Sequence, residues 1–86
     1  MTENIHQEAR RAFNDCKYNV IKKREDTIPY LSGTLNKRTR MYKEAKRIRE
    51  DAQIDYELGV INKDQYEIEI KAVNLFEKAL ANYKLY

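Results

Sequence analysis

Apolar residues recur along this chain at spacings of three and four, the period of a helix with one buried face, and no segment alternates as a half-buried strand does. Ile5, Ala9, Ala12, Phe13, Cys16 and Val20 share one narrow face. Two further series repeat the pattern: Leu35, Tyr42, Ala45, Ile48, Ala52 and Tyr56, then Tyr66, Ile70, Val73, Phe76, Leu80 and Tyr83. The expected fold is all-α and free of β-structure, with three long helices over about 3–24, 34–58 and 63–85 in one domain, 1–86.

Punctuation sets those boundaries. Thr2 is a good N-cap for the first helix, and Glu3 follows where a carboxylate favours the helix dipole. The stretch "EDTIPYLSG" ends it near Arg24, because Pro29 disfavours helical geometry at Ile28. Ser32 or Thr34 caps the second helix, and Gly59 follows Leu58 as a C′ residue. In "GVINKDQYEIEI", Asn62 and Gln65 form a capping box, while Ile61 at N′ staples against Tyr66 at N4. So short a turn folds the last two helices into an antiparallel hairpin, and the whole into an elongated bundle. The stretch "YELGVINKDQYE", with its Gly-apolar-apolar-cap-acid order, resembles the hairpin turn of short C-terminal oligomerisation modules found in bacteria. Any tight helical turn shares that order, so it names no family.

The third helix carries a second apolar stripe, Ile68, Ala72, Leu75 and Ala79, beside its first. Together they cover more than half its circumference, more than a helix at the edge of a bundle needs. Either the first helix covers the surplus, or another protein or a second copy does. The four residues are therefore the expected protein interface, and a homo-oligomer is the expected state.

Length and composition narrow the function. Eighty-six residues leave a core too small for an internal active-site cavity. With 42% hydrophobic and 36% charged residues the chain reads as soluble and ordered. It has no apolar run long enough to span a membrane, and "MTENIHQEARRAF" lacks the apolar centre of a secretory signal. A single cysteine, Cys16, agrees with a reducing compartment, and the expected location is cytoplasmic. A taste for Lys, Asn, Ile and Tyr, all with AT-rich codons, points to an accessory protein of a virus or mobile element, found in host cytoplasm or virion.

Candidate chemistry is sparse. Cys16 lies in register with core residues, and His6 has no metal-ligand partner at helical spacing. Glu67 and Glu69 are two apart on a helix and point in different directions, unlike an acid/base pair. "LSGTLNKR" has one glycine and no strand before it, so it is no phosphate loop, and capping accounts for Ser32. No enzyme activity, metal, cofactor or small-molecule substrate is expected.

The remaining signal is "NKRTRMYKEAKRIR", residues 36–49, with seven cations and one acid, Glu44. On a helix, Arg40, Lys43, Lys46 and Arg47 fall opposite the apolar arc with Lys37 near its edge, a strip about 15 Å long. Arg38 and Arg49 project inward and want acids such as Glu57, Glu69 or Glu77. Residues 1–50 hold thirteen bases and seven acids, residues 51–86 four and seven, so the net charge of +3 is unevenly shared. The five strip residues are expected to meet nucleic acid or an acidic partner. A helix-turn-helix would need "TIPYLSG" as its first element, a single turn containing a proline. Tyr18, Tyr30 and Tyr86 lie off the buried stripes, as contact-surface tyrosines do. The leading expectation is a non-catalytic helical protein that binds through protein–protein contacts. Its alternative is sequence-tolerant DNA or RNA binding by the basic face.

Overall fold

Three side-chain caps organise the chain, whose computed structural model describes residues 4–86. Asn4 accepts from the Gln7 N–H at 3.1 Å and starts α1, Ile5–Ile21. Thr34 accepts from the Lys37 N–H at 3.1 Å and starts α2, Leu35–Glu57. Asn62 and Gln65 form the expected reciprocal box and start α3, Lys63–Ala81. Each cap satisfies a backbone donor that the first helical turn leaves open. Thr2 and Glu3, the expected start of the first helix, lie outside the described residues. Helix accounts for 71% of the described chain.

The helices pair through α3, which both others pack against. Along α2 and α3, Arg38 reaches the Leu80 carbonyl, Arg49 reaches Asn74 and Glu77, and Tyr56 stacks on Tyr66. Rising numbers on one helix meet falling numbers on the other, so the pair is an antiparallel hairpin. Gly59 makes the turn with φ +76°, a left-handed conformation that costs a side chain with Cβ about 1–2 kcal/mol. On the other side of α3, Lys17 of α1 pairs with Glu69 at 2.7 Å. The bundle measures 41 × 26 × 20 Å.

The core confirms the α1 series residue for residue, since Ile5, Ala9, Ala12, Phe13, Cys16 and Val20 are all buried. On α2 the inward line is Met41, Ala45, Ile48 and Ala52. Leu35 is 60% exposed and Tyr56 is also outside. Met41 and Tyr42 are adjacent, so only one can lead into the core, and the helix is turned to favour Met41. On α3 Val73, Phe76 and Leu80 are fully buried, while Tyr66 and Ile70 are only partly so.

Two helices end earlier than expected. Lys23 adopts φ +57° at the end of α1, and the Lys23 and Arg24 N–H groups bond back to the Val20 and Asn19 carbonyls. This closure works without glycine, so residue type gives no sign of it and Pro29 is the first visible break. At the end of α3, Asn82 caps the helix and bonds the Lys78 carbonyl at 2.8 Å. The chain beyond forms a small parallel ladder that corrects the expectation of no β-structure. Strands β1, Ser32–Gly33, and β2, Lys84–Leu85, pair in register Ser32 with Lys84 and Gly33 with Leu85. Two-residue strands carry no alternation to read. A Cβ at Gly33 would collide with the Tyr83 hydroxyl, so this position requires glycine for space as well as for its φ of +151°.

Replacing Phe76 with Ala should destabilise the protein by about 3–5 kcal/mol, the usual cost of emptying a buried aromatic site. Urea unfolding followed by circular dichroism measures it. A loss near zero would show that Phe76 is not packed between the helices.

Candidate functional site

Whether a surface is open for contact depends on what the bundle itself already covers. The second stripe of α3 is covered from within. Ala72, Leu75 and Ala79 are buried and Ile68 is partly buried, lining a groove with Val20 and Ile21 of α1. Ala72, Leu75 and Ala79 are thus covered within the bundle, while Ile68 stays partly open at its groove.

The basic strip divides into used and open cations. Arg38 donates from Nε to the Leu80 carbonyl at 2.8 Å and lies over the Tyr42 ring. A cation there meets the negative end of the α3 dipole. Arg49 bonds Glu77 and, at 2.7 Å, the Asn74 side-chain oxygen. The inward arginines therefore brace the hairpin, Arg49 through one of the acids anticipated for it. Lys37, expected at the edge of the strip, is half-buried and pairs with Glu8 of α1 at 2.9 Å. Arg40, Lys43, Lys46 and Arg47 are exposed together on α2. Among the described residues only Arg47 of these has an acid within ion-pair distance, Glu44 at 3.9 Å, and Glu44 also meets His6. Arg40, Lys43 and Lys46 make no ion pair among the described residues.

A second surface lies at the turn end of the hairpin. Ile54 is 50% exposed, Leu58 73% and Val60 67%, beside the stacked rings of Tyr56 and Tyr66, whose centroids are 4.6 Å apart. Tyr66 takes Tyr56 as its ring partner, and Ile61 lines a groove with Ile21 and Ile68. The sequence does carry a signal for this patch. Ile54 falls on the arc of Lys43 and Arg47, far from Ala45, Ile48 and Ala52, so it has to face outward. Leu58 and Val60 flank Gly59, where the turn signal masks them.

The groups with chemical potential are dispersed. Glu69 is engaged with Lys17 while Glu67 is exposed, so the two acids do not converge. Ser32 lies in β1 and Thr34 does the capping. No group of three metal-ligating side chains occurs among the described residues, and no described helix is long and apolar enough to cross a membrane. The segment "TIPYLSG" contains no helix, which removes the helix-turn-helix reading. Tyr18, Tyr30 and Tyr86 are exposed, and Lys22 lies over the Tyr18 ring. No protein-family model, curated protein or solved structure matches this chain.

Cys16 is buried, and its removal from water, reinforced by the negative charge of Asp15, pushes the thiol from 9.0 up to about 12. The folded protein holds it neutral at every physiological pH, whereas the thiolate is the nucleophile. Between pH 9 and 12 the unfolded chain has lost this proton and the folded chain has kept it, so this group makes stability fall as pH rises. At pH 8 a disulfide reagent such as dithionitrobenzoate should label Cys16 only as fast as the bundle opens, and at once in denaturant. Immediate labelling of the native protein would refute the buried placement.

Proposed function

We propose that this chain is a non-catalytic binding protein that works through protein–protein contacts made at the turn end of the α2–α3 hairpin. The observation that carries this reading is the run of exposed apolar residues Ile54, Leu58 and Val60 around the α2–α3 turn, with the exposed Tyr56 among them. Keeping such residues in water forgoes about 1.5–3 kcal/mol for each side chain that burial would return, so a partner that covers them gains that free energy. The neighbouring tyrosines add rigid contact area with little entropy to lose. Assembly or regulation of a larger structure is the role that fits a module of this size.

A photo-crosslinking residue at Val60 should give a discrete adduct in the cells that make the protein, while the same residue at the exposed Lys78 should not. Equal labelling from both positions would sink the hairpin-end reading.

The exposed quartet Arg40, Lys43, Lys46 and Arg47 favours a second reading, sequence-tolerant binding of DNA or RNA. Duplex DNA presents one charge per about 1.7 Å, so several phosphates lie within reach of the strip. Changing Arg40, Lys43 and Arg47 to Gln should leave thermal stability nearly unchanged, because exposed charges contribute little to folding. On this reading it should weaken duplex binding and flatten its salt dependence by about one unit of slope for each phosphate no longer neutralised. Identical anisotropy curves for both proteins would remove nucleic acid from the account.

A further inference from the structure

The outward face of α2 is a charge sequence that matches its own reverse. At about 100° per residue, Arg40, Lys43, Arg47, Glu50, Ile54 and Glu57 fall within an arc of about 100°. All six are exposed. Their spacing alternates three and four, the seam along which two helices pack. The signs run positive, positive, positive, negative, apolar, negative. If the line is reversed about its midpoint between Arg47 and Glu50, Arg47 meets Glu50, Arg40 meets Glu57, and the stem of Lys43 lies on Ile54.

We propose that two copies of this chain pair antiparallel through the outward face of α2, with a two-fold axis between Arg47 and Glu50. The inference rests on the protein-contact reading above and names a second copy as one such partner. A two-fold interface places each contact twice, so the two kinds of ion pair, Arg47 with Glu50 and Arg40 with Glu57, form four times. Parallel pairing sets Arg40 on Arg40 and Arg47 on Arg47 and is repelled, so charge alone selects the antiparallel arrangement. The helix has candidate partners of its own one turn away, Glu50 for Lys46 and Asp51 for Arg47. The structure forms neither pair, and among the described residues Arg40, Lys43, Lys46, Glu50 and Asp51 enter no ion pair. These charges are therefore open to another chain. Exposed pairs are screened within about 8–10 Å at physiological salt, so the dimer is weak and salt-sensitive.

Two single variants test the geometry. Arg47→Glu makes residues 47 and 50 both acidic, and Glu50→Arg makes both basic. Both positions are exposed, so circular dichroism should show folded proteins. At low salt, sedimentation of the wild type should show twice the 10.3 kDa chain mass, shifting toward the monomer at high salt. Each variant alone should dimerise at least tenfold more weakly. An equimolar mixture of the two should recover a dimer, because every facing pair is then of opposite sign, and neither helix stability nor a general charge effect produces that rescue. Wild type that stays at 10.3 kDa at low salt, or variants that dimerise alone as the wild type does, overturns the proposal. A monomer that gains mass only with added duplex DNA also overturns it, assigning the basic half to phosphate. A monomeric wild type that still gives an adduct to a different protein from Val60 refutes the self-pairing and keeps the protein-contact function. A monomer with no such adduct refutes both.

Discussion

A helix that is apolar over more than half its circumference has to be covered on two sides, and α3 is such a helix. Its Val73, Phe76 and Leu80 are fully buried, and so are Ala72 and Ala79 of the second stripe. One cover, α2, arrives through a short turn at Gly59, and the other, α1, is brought by the chain from the far end of the sequence. The rims carry the polar work. Lys17 with Glu69 closes one seam and Arg49 with Glu77 the other, while no polar or charged side chain is buried among the described residues. The covered carboxylate oxygen of Glu8 is met by Lys37, so the core carries little charge to compensate, which suits so small a fold.

Most of the architecture is legible in the sequence because it follows from periodicity and caps. The Asn62–Gln65 box and the left-handed Gly59 stand where residue type alone puts them, and the α1 face needs no revision. What escapes depends on choices between near-equal neighbours or on contacts far apart in sequence. Met41 over Tyr42 is a rotation of a few tens of degrees. The β1–β2 ladder joins residues 32–33 to 84–85, and nothing local in either segment announces the other. The surplus face of α3 is apolar as its pattern says, and Ala72, Leu75 and Ala79 of it are buried within the bundle, with α1 packed against α3. Deciding between an internal and an external partner requires knowing where α1 lies, which only the folded chain states. The exposed end of the hairpin is hidden for the opposite reason, because Leu58 and Val60 sit inside a turn signal and Ile54 is a lone apolar residue on a charged arc.

The basic run shows how one composition serves two ends. Its inward members are both arginines, whose planar forks hold a carbonyl in one case and an amide and carboxylate in the other. Its outward members mix lysine and arginine and have no such geometry to satisfy. The excess of positive charge in the first fifty residues is therefore only partly available to a partner, since Lys17, Lys37, Arg38 and Arg49 are engaged inside the fold.

The route by which α1 reaches α3 has a kinetic consequence. The α2–α3 contacts can start beside the turn, where Tyr56 meets Tyr66, and extend outward to Arg38 and Leu80, whereas Lys17 and Glu69 are 52 positions apart with no such nearby start. Low sequence separation favours early closure and long separation delays it, so the hairpin is the natural nucleus and α1 the late arrival. By the same reasoning α1 is the segment whose departure disturbs the hairpin least. Each such opening would bare Ala72, Leu75 and Ala79 to water, a brief aggregation-prone state that the β1–β2 ladder limits by anchoring the connection between α1 and α2.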